Sequence, residues 1–256
     1  MPDLLTSFSV EIENFALVTH KVPAARVEPH VPENLRLQTF EDAGRRYCLV
    51  SVSCFCNRRF RITGLRYPHL TFNESTYRIY VEYNGRQGVF FIGRYLGHPL
   101  AVAAQKPLHR DTWLADFEVT VERSDAGFAR YDFLASGPRG ETTFSISAED
   151  DPRQRPPFDS AWDHTQFITY RTSGLFMSPF GVPGHMPVSH PHMRCVEGVL
   201  HAGRFDLWHE LGIVEPEEIA EPYSVLAVPF VPFTLHPPRL TGRDRQRTRQ
   251  ATTPRQ

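Results

Sequence analysis

Lysine is nearly missing from this chain. Of 28 basic residues only Lys21 and Lys106 are lysines and the rest are arginines, so chemistry that needs a side-chain amine has two candidates. Cysteine is sparse as well, with Cys48, Cys54, Cys56 and Cys195 in 256 residues, a length that can support a core without disulfides; a reduced, cytoplasmic protein is the expectation. No run of about 18 apolar residues occurs, so no membrane-spanning helix is expected. The first ten residues carry Asp3 and no basic cluster, unlike a secretory signal. Neither sign of charge is in excess: the net of −1 gives no reason to expect nucleic acid or a membrane surface as partner. Glycine-rich phosphate loops, a Gly-x-Ser-x-Gly elbow, Cys-x-x-Cys pairs and His-Glu-x-x-His are all absent from the sequence, which removes the usual signatures of nucleotide, serine-hydrolase and zinc chemistry. No cofactor is implied.

Proline, at 22 residues, is abundant and argues for many turns and few long helices. Period-two runs rich in β-branched and aromatic residues occupy 47–56, 77–83, 88–92, 116–122, 129–134 and 142–147, and each reads as a strand. Asn84-Gly85 between the second and third is a strong hairpin signal, and the last three predict a meander over 113–148. Short helical segments are expected at 23–29, 99–106 and 216–220, the second opened by Pro99 and stopped by Pro107. The stretch 150–157 reads as an exposed loop, after which Trp162 onward reads as strand-like. Pro229 and Pro232 make 227–233 an edge or extended segment. One domain over 1–238 is expected, followed by a tail, 239–256, which holds six arginines against Asp244 and reads as disordered.

Several side chains invite chemistry, each with a plain alternative. Alternation places Glu74, Thr76 and Arg78 on one strand face, where Glu74 is a candidate acid or base or half of an ion pair with Arg78. Arg94 and Arg110 are candidate carboxylate forks or surface charges. Lys106 ends the alanine-rich helix, as a candidate amine or a helix-dipole partner. His185, His190, His192, His201 and His209 cluster in sequence around Cys195, but their spacing fits chance better than a metal set.

The segments 18–32, 47–52, 72–81 and 88–92, with the short helix that follows, resemble an uncharacterised bacterial family, domain of unknown function 2071, which is placed in the acetoacetate decarboxylase superfamily. The resemblance spans roughly 8–238 and is most specific over 72–108. It implies a mainly β (α+β) fold in which a large curved antiparallel sheet forms a cone or open barrel around a cavity, with few short helices and possible homo-oligomerisation. It also implies a site at which Glu74 matches a family glutamate. The family's Pro-Lys-Lys, whose first lysine forms a Schiff base with the keto acid, falls on Thr112-Trp113-Leu114. Both lysines are therefore missing, and ordinary acetoacetate decarboxylation is not expected. Two expectations stay open. One is an enzyme, lyase-like in type, acting on a small oxo or carboxylate compound with Glu74 and Lys106 as catalytic groups and Arg78, Arg94, Arg110 and Trp113 binding substrate. The other is a non-catalytic module that binds a small, apolar molecule against Phe90, Tyr95 and Trp113.

Overall fold

The computed structural model describes residues 7–240. The chain opens with β1 (Phe8–Pro23), α1 (Ala24–Val27) and two short strands, β2 (Arg36–Leu37) and β3 (Phe40–Asp42). Three long strands follow, β4 (Arg45–Ile62), β5 (Leu70–Tyr83) and β6 (Arg86–Leu96), then α2 (Pro99–Gln105) and β7 (Thr112–Leu114). The expected meander is β8 (Asp116–Arg123), β9 (Phe128–Gly137) and β10 (Gly140–Asp150). The remainder is α3 (Ala161–Thr169), β11 (Ser173–Met177), β12 (Pro183–Ser189), β13 (Val196–Phe205), α4 (Asp206–Glu210), β14 (Ser224–Leu235) and β15 (Arg239–Leu240).

The protein is mainly β, one large mixed sheet that closes part of itself into a ring. Strands pair in the order β12–β11–β6–β5–β4–β1–β14, and β14 returns to β12 through Val188↔Leu235 and Ser189↔Thr234. Most pairings are antiparallel, as the resemblance implies, but β11 and β7 both run parallel to β6. From β14 the sheet continues through β13, β10, β9 and β8 and folds back over the outside of the ring wall. The main core lies between these two layers: Val50, Val52, Tyr77 and Ile79 of the wall meet Tyr131, Phe133, Phe144 and Ile146 of the meander. Trp208 of α4, fully buried, packs edge-on to Tyr77 with ring centroids 5.0 Å apart.

Local chemistry accounts for the joints. Asn84 and Gly85 both have positive φ, the backbone that a tight hairpin turn matched to strand twist requires, and the ladder runs from Tyr83↔Arg86. α2 begins at Pro99, with the His98 side chain accepting the Leu100 amide.

Two segments differ from the sequence reading. Residues after Trp162 form the helix α3, because Ser160 caps it by accepting the Asp163 amide and buried His164, Thr165, Ile168 and Thr169 share one face. The proline-bearing segment 227–233 lies in mid-sheet instead of at an edge. All of it but Pro229 pairs with β1, while on the other side β13 meets only 226–227 and β12 only 234–235. Pro229 and Pro232 fall in the gap between those ladders, where no amide hydrogen bond is lost. In the segment expected to be a tail, Arg239 and Leu240 pair with β12; 241–256 lie outside the described residues.

Truncating Trp208 removes the largest wholly buried side chain of the interlayer core. Trp208→Ala is expected to cost about 3–5 kcal/mol in urea unfolding, whereas Phe180→Ala, at a side chain 85% exposed, should stay within about 0.5 kcal/mol. Acid should also weaken the fold. Burial pushes His164 down to about 4, against a smaller opposing pull from Glu197. A histidine that is neutral in the fold but protonates near 6.5 when unfolded stabilises fully above 6.5. That contribution is lost as pH falls from 6.5 towards 4. Urea midpoints measured across this window should fall, with protons taken up on unfolding; a flat profile would contradict the buried neutral histidine.

Candidate active site on the concave face of the ring

In β4 the run Val50-Ser51-Val52-Ser53 alternates as a half-exposed strand would, yet 47–55 are buried throughout. The valines face the interlayer core and the serines face the ring interior. There they join a polar seam. Thr19 and Ser51 hydroxyls lie 2.8 Å apart, Ser51 and the Tyr80 hydroxyl 2.7 Å, and Ser53 and Thr76 2.5 Å. Tyr80 donates onward to the Ile168 carbonyl of α3 at 3.3 Å.

Glu74 continues this face. Alternation along β5 does put it on the side of Thr76 and Arg78, but its ion partner is Arg94 of β6, which donates from Nε at 3.0 Å and Nη2 at 2.5 Å to the same carboxylate oxygen. The other oxygen accepts from Asn57 Nδ2 at 2.9 Å. Glu74 is 3% and Arg94 8% exposed, so the pair is enclosed, and a charge removed from water in this way needs its partner.

Arg78 is different. It is 7% exposed, has no carboxylate within ion-pair distance among the described residues, and its Nε makes no hydrogen bond there. Arg171, between α3 and β11 and 3% exposed, donates from Nη1 to Gln87 at 2.7 Å and stacks over Phe167 at 4.1 Å, while its Nε and Nη2 have no partner. Burial lowers the affinity of both guanidiniums for their protons, Arg171 to about 10, and Arg78 adds repulsion to Arg171. His190, just past β12, stacks on Phe233 at 4.4 Å; burial lowers its proton affinity and the Arg78 charge lowers it further.

A second group lies past α2. His109 is 2% exposed and stacked on Phe176 at 5.6 Å, and neither ring nitrogen has a partner within bonding geometry. Burial first, then the Arg94 charge, hold it well below the usual histidine range, although its own backbone and that of Phe91 pull the other way. Thr112, opposite Arg94 in the β6–β7 ladder and wholly buried, also leaves its hydroxyl unpaired. Half-buried Phe91 links the two groups: it is opposite Arg78 in the β5–β6 register, 5.5 Å beneath the Arg94 guanidinium and 6.4 Å from His109.

The concave face thus gathers Glu74, Arg78 and Arg94 from the sequence-predicted set. Lys106 is exposed at the end of α2, Lys21 is exposed and paired with Asp42 at 2.5 Å, and Arg110 is exposed and paired with Asp111 at 3.0 Å. Trp113 stands beside Tyr95 on the opposite side of the sheet, in the interlayer core with Phe90, beneath Arg139 at 5.4 Å. Those three rings therefore do not line the concave face. The histidine cluster disperses: His201 bonds Ser147, His185 bonds Ser173 and His209 meets Glu215 at 3.6 Å. Among the described residues no three of His, Cys, Asp or Glu converge as metal ligands. Burial raises all four cysteine thiols, Cys48 and Cys195 to about 12, which removes them as thiolate nucleophiles near neutral pH. Arg171 and His109 went unmarked in sequence. Arg171 sits in a connection with no motif, and the only sign at His109 is its place just after a proline-stopped helix.

Three solved structures share this architecture. The enduracididine biosynthesis enzyme MppR complexed with pyruvate superposes with a TM-score of 0.59 at 15% identity, covering 91% of this chain and 89% of that one. Acetoacetate decarboxylase from Legionella pneumophila gives 0.58 at 13% identity over 90% and 84%, and an acetoacetate decarboxylase-like enzyme from Sphingomonas wittichii RW1 gives 0.56 at 11% over 91% of each. At such identities the likeness is one of fold. No curated protein is similar in sequence. The model of domain of unknown function 2071, described as an uncharacterized conserved protein, matches residues 9–229, and the chain belongs to that family.

Proposed function

We propose that the concave face binds a small 2-oxo carboxylate, held by the Arg78 and Arg171 guanidiniums. The observation that carries this reading is Arg78: a buried cation with no counter-ion, next to a second one. Buried charge without a partner is costly, and a site that keeps two such cations stores a demand for an anion. A carboxylate answers it, because its two oxygens match the planar fork of a guanidinium. Phe91, Phe167 and Tyr80 beside these cations suit a short organic acid better than a hydrated inorganic ion. The pyruvate held by MppR on the same fold supports the 2-oxo class.

The chemistry differs from imine-based decarboxylation. Both lysines of the chain lie exposed, away from this face, so a Schiff base has no side-chain amine to form on. Glu74 has both oxygens engaged and serves to hold Arg94 in place. A lyase-type reaction on this site therefore proceeds by proton transfer and charge stabilisation, without a covalent adduct on lysine.

Two outcomes test the reading. Arg78→Met keeps length and removes the unpaired charge, so the melting temperature should hold or rise while pyruvate binding, measured by calorimetry, weakens about 10- to 100-fold, the worth of a charged hydrogen bond. A lower melting temperature with unchanged binding would make Arg78 structural. For the ion pair, Glu74→Ala should destabilise by about 3–5 kcal/mol in urea unfolding, because it strands the Arg94 charge. The double variant Glu74→Met/Arg94→Met should lose less than either single change predicts, and simple additivity would show that the pair is not coupled.

A further inference from the structure

His109 is unused by carboxylate binding and is unusual for a core histidine. A neutral imidazole has one N–H donor and one acceptor nitrogen, and in a buried ring at least one of them normally finds a partner. Here neither has a partner in good hydrogen-bonding geometry at 2% exposure, although the backbone of Phe91 and of His109 itself lies close enough to act on the ring. The ring is nonetheless held firmly. It stacks on Phe176, its amide donates to the Gln105 carbonyl at 2.9 Å, and the next amide, Arg110, donates to Met177 at 3.0 Å. The charged neighbours that act on it are Arg94, buried, and Arg110, exposed, with the backbone of Phe91 close by. The hydroxyl of Thr112, three residues on, is unpaired too. An oriented, buried imidazole beside a buried cation, with only the backbone of Phe91 and of His109 itself acting weakly on its nitrogens, has the make-up of a general base.

We propose that His109 moves the proton in a keto–enol interconversion of the 2-oxo acid bound at Arg78 and Arg171, an inference that rests on the carboxylate-binding reading above. The ring nitrogen takes a proton from C3. The C3–H electron pair becomes the C2=C3 bond, and the C2=O π pair moves onto oxygen, where the Arg94 cation stabilises the enolate. The imidazolium returns its proton to that oxygen to give the enol, or to C3 in reverse. No oxidant, reductant or metal enters the balance. The substrate class follows: a 2-oxo acid with at least one hydrogen on C3, which pyruvate and 2-oxobutanoate possess and 2-oxo-3,3-dimethylbutanoate lacks.

The test is hydrogen–deuterium exchange at C3 of 2-oxobutanoate in deuterium oxide, followed by proton magnetic resonance with the full-length protein. The wild type should exchange C3 faster than buffer alone, and His109→Gln should lose about 100-fold or more of that acceleration while binding 2-oxobutanoate within threefold of wild type by calorimetry. His109→Asn is the second variant should the first fold poorly. The wild-type rate also stands alone, since it should be flat with pH above 6.5, the base being already unprotonated. Exchange no faster than buffer, exchange unchanged in a folded His109 variant, or a rate climbing steadily with pH above 7 would each overturn the proposal. The two readings fail separately. Binding without exchange removes His109 as the base and leaves the carboxylate site standing, whereas no binding of 2-oxobutanoate or pyruvate removes the carboxylate site itself.

Discussion

Burial of the ring wall on both faces is the constraint on which the rest of this structure depends. Once the meander covers the outside of β4, β5 and β6, the strands have no solvent-facing side, so every polar side chain on the concave face must be satisfied from within. Most of them are. Thr19, Ser51 and Tyr80 form a chain, Ser53 bonds Thr76, and Asn57, Glu74 and Arg94 close a triad. Unpaired buried atoms also occur elsewhere, at Tyr95 and Trp208 in the interlayer core among others, but Arg78, Arg171, His109 and Thr112 all retain such donors or acceptors around this face.

The division of labour on that face follows from charge. Glu74 and Arg94 neutralise one another, which fixes a guanidinium beside His109 without leaving a free carboxylate nearby. Arg78 and Arg171 repel, and neither has a carboxylate partner among the described residues, which is the ground for proposing an anion there. Burial first, and then the neighbouring arginine charges, lower the proton affinity of His109 and His190. On the proposed reading, arginine and histidine take over at this face the part that the missing lysines play elsewhere on the fold.

The strands were legible in the sequence because their side chains obey period two wherever one face meets the main core. The Asn84-Gly85 hairpin and the proline-opened helix α2 were legible for local steric reasons. What alternation could not tell was which face was solvent: Ser51 and Ser53 look exposed and are buried, since the polar side of this wall faces a ring interior. α3 was hidden because its helical face uses His164 and Thr165 as core residues, so the apolar period is weak. The proline-bearing β14 was misplaced to an edge, because the gap between two partner strands that tolerates Pro229 and Pro232 is a long-range property. At the site, Glu74 and its face were legible from spacing within one strand. Its pairing with Arg94 was not, since it depends on cross-strand register, and neither was Arg171, which reaches the face from a connection about 90 residues later.

On the proposed reading Arg78 and Arg171, which have no carboxylate partner among the described residues, hold the carboxylate of a 2-oxo acid. A crystal structure of the protein grown with 2-oxobutanoate tests it most directly. The ligand is expected on the concave face with its carboxylate oxygens about 2.7–3.2 Å from Arg78 and Arg171 nitrogens. A ligand bound elsewhere, or a face in which both guanidiniums stay without a carboxylate at saturating 2-oxobutanoate, would overturn that reading.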